Sequence, residues 1–184
     1  MPRRNADTRE EIREVALELF ATKGFEQTSL REIAERLDIT KAALYYHFPS
    51  KDELLSAVVE PLVTDIEAFL GEARRLLLEG ERRVLEAYFD LCHRHRLLFQ
   101  GMLQDLTVLA RVRILPEVLH RRAELDRMLV GSDGPADRCR AVIALGGLQD
   151  CAVLMGHEPV ESYRAAAVDA ALRALLPGAL LPGA

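Results

Sequence analysis

Three helix starts follow one another at positions 29, 40 and 50, and this spacing constrains the fold more than any other feature of the chain. Ser29 stands three residues before Glu32 and Ser50 three before Glu53, the reciprocal pattern in which a hydroxyl accepts from a backbone N–H while the carboxylate reaches back. Thr40 can cap a helix that opens at Lys41. Pro49 closes that helix, because the residue before a proline avoids the α region. The stretch therefore predicts two short helices joined by a tight turn at Asp38-Ile39, with a long helix after them, and two short helices so joined make a helix-turn-helix.

Elsewhere the apolar residues return at helical spacing, and no run alternates with a period of two, so the chain is read as all-α. Ile12, Val15, Ala16, Leu19 and Phe20 form the inner stripe of a first helix over about 7–23, with Asp7 and Glu10 at its start and Gly24 as a left-handed stop. The second helix turns Leu30, Ile33, Ala34 and Leu37 inward. The third carries Lys41 to Phe48, and Leu44 and Phe48, four apart, face a three-helix core. A fourth helix runs from Ser50 to about Leu78 with Pro61 as a possible kink, and further helices are expected near 82–98, 101–114, 117–130, 136–156 and 160–176. The closing LLPGALLPGA reads as a frayed tail.

From Gly24 to Leu55 the sequence GFEQTSLREIAERLDITKAALYYHFPSKDELL resembles the DNA-binding pattern of the TetR family of bacterial transcriptional regulators, most specifically in LYYHFPSKDELL, Leu44 to Leu55. The resemblance implies a three-helix DNA-binding domain over 1–49 joined to a larger helical ligand-binding and dimerisation domain over 50–184. One position departs from the family pattern: Asp38 stands where a glycine is usual, although aspartate tolerates the left-handed region better than most residues.

Physically, a recognition helix enters the major groove to read base edges while its flanks hold phosphates. With Leu44 and Phe48 inward, Lys41, Ala42, Ala43, Tyr45, Tyr46 and His47 line the outer surface, and the small alanines permit close approach. The resemblance assigns base or methyl contacts to Lys41, Ala42, Ala43 and Tyr46. It assigns phosphate contacts to Tyr45, His47, Lys51 and to the start of the second helix at Thr28, Ser29 and Arg31, where the helix dipole also favours an anion. Thr40, as the cap of the third helix, belongs to the same DNA-binding set. Their competing reading is ordinary packing for the aromatics and a solvated face for the ions.

Net charge is −5, and residues 1–50 hold eight basic against nine acidic side chains, so bulk electrostatics does not drive nucleic-acid binding here and local placement must. Three cysteines, Cys92, Cys139 and Cys151, lack CxxC or disulfide-framework spacing and read as reduced thiols. No run of apolar residues is long enough to span a membrane, and the opening MPRRNADTRE has no signal-peptide stretch, so a cytoplasmic protein is expected. Asp90, Cys92, His93 and His95 invite a metal reading, but residues one and two apart on a helix do not share a face, so no metal and no cofactor is expected. Neither GxSxG, HExxH nor a phosphate-binding glycine loop occurs, and an enzyme is not expected.

For the body, the candidate ligand-binding residues are Phe69, Tyr88, Phe89, Cys92, Phe99, Met102, Leu103, Leu106 and Arg111, a mostly apolar set that suits a small organic effector. Similarity to the family implies a homodimer through the last two helices, rich in Ala and Gly, and hence a double-stranded operator with inverted-repeat symmetry. The implied function is a repressor released from DNA by that effector. The alternatives are a dimeric regulator without a ligand and a metal-sensing regulator.

Overall fold

The computed structural model describes residues 5–104 and 115–176. Among them the chain is helical and contains no strand: α1 (Asn5–Lys23), α2 (Leu30–Arg36), α3 (Lys41–His47), α4 (Lys51–Leu78), α5 (Glu81–Arg94), α6 (Arg96–Gln104), α7 (Leu115–Val130), α8 (Pro135–Leu154) and α9 (Val160–Leu175). No helix of the described residues is long and apolar enough to cross a membrane.

The helices form two compact units, Met1–Val63 with Leu97–Leu115, and Thr64–Arg96 with Pro116–Ala184. α4 supplies residues to both. In the first unit Ile12, Ala16, Leu19 and Phe20 of α1 are buried with Leu30, Ile33 and Ala34 of α2 and Leu44 and Phe48 of the α3 region. Val15 and Leu37, also read as inward, are only half-buried. Gly24 stops α1 at φ 87°, a value that glycine reaches without steric cost, and its N–H bonds the carbonyl of Phe20 at 3.1 Å. Leu54, Leu55 and Val58 of α4 and Leu98 of α6 add to the core, so this compact unit is larger than the three-helix segment. Gly101 of α6 lets its helix approach α1 closely: a Cβ there would lie 3.3 Å from the carbonyl oxygen of Phe20.

In the second unit α8 and α9 pack on each other and both pack on α5. Val84, Leu85, Tyr88, Phe89, Leu91 and Cys92 form the buried face of α5, and Ala141, Ala144, Leu145, Leu148, Ala152 and Val153 that of α8. The free energy of this core comes mostly from apolar area withdrawn from water, at about 25 cal/mol per Å².

Several boundaries differ from the sequence reading. Asp7 lies inside the first turn of α1 and does not cap it, and Glu10 pairs with Arg13 at 2.7 Å. The helix expected over 82–98 breaks at His95, which caps α5 with φ −98° and ψ 16° before α6 opens at Arg96. Neither glycine nor proline marks this break; a tertiary contact accompanies it, in which Asp65 of α4 accepts from Arg94 and pairs with His95, both at 2.8 Å. The expected helix over 101–114 starts earlier and is described only as far as Gln104. The last residues of the terminal LLPGALLPGA lie outside the described residues.

Candidate nucleic-acid interface

The geometry of α2 and α3 follows from three local caps. Ser29 accepts from the Glu32 N–H at 3.1 Å, Thr40 from the Ala43 N–H at 3.1 Å and Ser50 from the Glu53 N–H at 3.1 Å. Each satisfies one of the orphan donors of a helix start. At Ser29 only half of the reciprocal box forms, because the Glu32 carboxylate goes to Lys23 instead. Asp38 takes φ 53°, the only positive φ at a non-glycine among the described residues, and the Ile39 N–H bonds the Ala34 carbonyl at 3.0 Å. That left-handed residue sends the chain from α2 into α3.

On α3 Leu44 is buried, while Lys41, Ala42, Tyr45 and Tyr46 are exposed and Ala43 and His47 are half-exposed. Tyr46 projects furthest, at 75% exposure against 40% for Tyr45, and its ring meets the imidazole of His47 edge-on at 5.4 Å. The Lys41 ammonium lies 5.5 Å from the centre of the Tyr45 ring. The exposed row is therefore one of small, aromatic and basic groups, which suits a groove floor of base edges between phosphates. Thr40 and Ser29 are exposed beside it with their hydroxyl oxygens already accepting from the backbone.

Three residues read as phosphate contacts are placed with other partners. Thr28 is 1% exposed, and its hydroxyl faces the carbonyls of Gly24 and Leu19 at 2.9 and 3.3 Å, so it secures the α1–α2 corner and has no proton left for a phosphate. Arg31 is exposed but donates to Glu35 at 2.7 Å, a hydrogen bond that raises its pKa further. Lys51 stands 4.2 Å from the centre of the Phe25 ring and donates to the Glu26 carbonyl at 3.3 Å. Sequence reasoning missed Arg9 of α1, which donates to the carbonyl of His47 at 2.8 Å across 38 positions. No local pattern signals a contact of that separation.

The ligand-binding candidates divide between the two units. In the second, Phe69 lies 6.0 Å from the ring of Tyr88, whose hydroxyl accepts from Arg122 at 3.0 Å and donates to Gln149 at 3.1 Å. Burial pushes the Tyr88 phenol well up, and pushes the adjoining Cys92 thiol up to about 12. Phe89 belongs instead to the α5–α9 packing, between His93 at 6.0 Å and Tyr163 at 5.8 Å. Phe99, Met102 and Leu103 are in the first unit, where Met102 borders a cavity of about 10 Å³ with Phe20, Phe25, Leu55, Leu98 and Gly101, room for about one water. Leu103 is exposed. Leu106 and Arg111 lie outside the described residues. Arg122 and Gln149, half-buried polar partners of Tyr88, were not found from sequence, since nothing in a helical period marks which polar residues meet a buried phenol.

Cys92, His93 and His95 diverge as helix geometry requires: Cys92 meets Tyr88, His93 stacks on Phe89, and His95 meets Asp65. Among the described residues no three His, Cys, Asp or Glu side chains gather as a metal site. Cys92, Cys139 and Cys151 are free thiols.

A capped two-helix unit with an exposed aromatic and basic face, among described residues that are otherwise helical, is a helix-turn-helix. Residues 12–58 match the model of the bacterial regulatory proteins of the tetR family. It is 31% identical over 110 residues to the transcriptional activator FasR of Mycolicibacterium smegmatis, a match covering 55% of this chain and 50% of FasR. It is 28% identical over 119 residues to the transcriptional repressor KstR2 of Rhodococcus jostii, covering 60% of this chain and 57% of KstR2. These matches thus span about half the length of either relative. In fold, the chain is similar to a transcriptional regulator of Aquifex aeolicus, with a TM-score of 0.73, 24% identity and coverage of 92% of this chain and 99% of that one.

Proposed function

We propose that the chain is a sequence-specific transcriptional regulator that binds a double-stranded operator through α3 as a homodimer and is released from it, as a repressor, by a small organic molecule. The observation that carries the DNA reading is the α3 face: Lys41, Ala42, Ala43, Tyr45, Tyr46 and His47 on one short helix, capped by Thr40, whose inner side, Leu44 and the following Phe48, is buried. In functional terms residues 1–49 form the DNA-binding domain and 50–184 the ligand-binding and dimerisation domain. Ser29, Arg31 and Lys51 flank the groove-facing row, and Arg31 and Lys51 would exchange their present partners for phosphates.

The dimer reading rests on the outer face of α8, where Val142, Ile143 and Leu154 are exposed at 55%, 64% and 62%. A Cβ on Gly146 or Gly147 would meet nothing within 4 Å, so no neighbour within the subunit requires those glycines. A symmetric dimer doubles the few base pairs that one recognition helix can read. For the effector, Phe69, Tyr88 and Cys92 with Arg122 and Gln149 supply an aromatic wall and hydrogen-bonding groups in one place. Release requires only that the molecule bind the DNA-incompetent state better, and α4, continuous from the DNA-binding end into the body, is the element that carries the difference.

The test is fluorescence anisotropy of the purified chain with the intergenic DNA beside its own gene, against scrambled DNA, at two salt concentrations. Tight, salt-dependent and sequence-selective binding, lost in the Tyr45→Ala/His47→Ala variant, is expected. Equal binding to both DNAs across a genome-wide operator search overturns the reading. Activation is the competing outcome because FasR, among the relatives, is named an activator. In vitro transcription from the bound promoter separates the two: a transcript that rises on adding protein makes it an activator.

A further inference from the structure

We propose that Arg9 is a positioning residue for DNA recognition: from α1 it fixes the C-terminal end of α3 and thereby aims Tyr45, Tyr46 and His47. This inference rests on the DNA-binding reading of α3.

α3 has seven residues, two turns, and a helix of that length is not stable on its own. Its start is held locally by Thr40. Its end has a deficit. Phe48 leaves the helix at φ −139° and ψ 96°, and although its N–H still reaches the Leu44 carbonyl at 2.9 Å, the chain then turns away through Pro49, which has no N–H to offer. The His47 carbonyl is left without a helical donor. Arg9 Nη1 fills that place at 2.8 Å, and its guanidinium carbon stands 4.2 Å from the centre of the Phe48 ring.

One planar group thus performs two tasks: it donates to the terminal carbonyl and covers the aromatic anchor, itself 1% exposed, that holds α3 to the core. A cation at a helix C-terminus is also favoured by the helix dipole. The pinned carbonyl belongs to His47 and lies within one turn of Tyr45 and Tyr46, so any roll of the helix end moves the groove-facing side chains directly. A cation this near α3 could instead serve as a phosphate contact, and the two roles differ in chemistry. Loss of a phosphate contact weakens binding to all sequences and lowers the salt slope by about one. Loss of a positioning contact weakens the correct sequence most and leaves the slope unchanged.

The experiment uses the full chain, with a duplex enriched by the wild type from a random-sequence pool and a scrambled duplex of the same length. Anisotropy is measured at three salt concentrations for wild type, Arg9→Met and Arg9→Lys, with circular dichroism and thermal unfolding on each. Arg9→Met keeps an apolar stem over Phe48, and Arg9→Lys keeps the charge but loses the planar fork. Both are expected to remain helical, to lose at least tenfold in affinity for the enriched duplex, to change less than twofold on the scrambled one, and to keep the wild-type salt slope. Two results overturn the proposal: wild-type affinity restored by Lys together with a slope lowered by one in Met, which makes Arg9 a phosphate contact, or undiminished selectivity in Arg9→Lys. If the wild type enriches no duplex at all, the DNA-binding reading itself fails, and this proposal falls with it before any variant is compared.

Discussion

Asp38 holds the turn between α2 and α3 at φ 53°, a conformation that costs a side-chain-bearing residue about 1–2 kcal/mol and aspartate less than most. Glycine there would relieve that strain but would also free the unfolded chain, two effects of about 0.5–1 kcal/mol that oppose each other. Asp38→Gly is therefore expected to leave stability within about 0.5 kcal/mol of wild type while removing a carboxylate from the α2–α3 turn. Operator affinity should rise by about two- to fivefold at low salt, with the gain fading as salt screens it. Denaturant titration and anisotropy measure the two quantities, and an unchanged affinity at low salt would show that the carboxylate does not feel the DNA. The turn at Asp38 was legible because its neighbours announce it: helix starts at Ser29 and Thr40 leave no other place for a reversal. Thr28 was misread because the sequence does not reveal that its hydroxyl faces the carbonyls of Leu19 and Gly24.

Helix starts at Ser29, Thr40 and Ser50 depend on a hydroxyl and an N–H three residues away, and such signals survive in a single sequence. The α5–α6 break is different in kind, since its partner Asp65 is 30 residues from His95 and nothing near His95 disfavours a helix. The same contact gives an element-level prediction. Burial alone would raise the Asp65 carboxyl, but hydrogen bonds from Arg94 and His95 outweigh it and hold the group below the ordinary carboxylate range. A carboxyl depressed by folding stabilises the folded state above its unfolded value, near 3.9, and loses that contribution as pH falls through the lower folded value. Wild type should thus exceed Asp65→Asn in urea midpoint at pH 7, with the gap closing as pH falls from about 4 toward 2. A gap that stays constant over that range would mean that Asp65 does not tie α4 to the α5–α6 junction through its charge.

For the whole molecule, a net charge of −5 makes indiscriminate adhesion to DNA unfavourable, so useful affinity must come from a few well-placed contacts made twice. Two-fold pairing is the economical way to make them twice, and the exposed apolar face of α8 is the surface on which it can be tested. Ile143 is 64% exposed in the subunit, so Ile143→Glu should change subunit stability by no more than about 0.5 kcal/mol. In a symmetric interface the same change places two carboxylates in an apolar contact at once, and unpaired charges so buried cost several kcal/mol. The dimer dissociation constant is then expected to rise by about a hundredfold or more, and sedimentation velocity over a range of concentrations should find monomer where the wild type is dimeric. Operator affinity should fall in parallel, because a monomer has one recognition helix to offer. If Ile143→Glu remains as dimeric as the wild type, α8 does not form the interface through this face, and the spacing of the two α3 helices must be set by another surface.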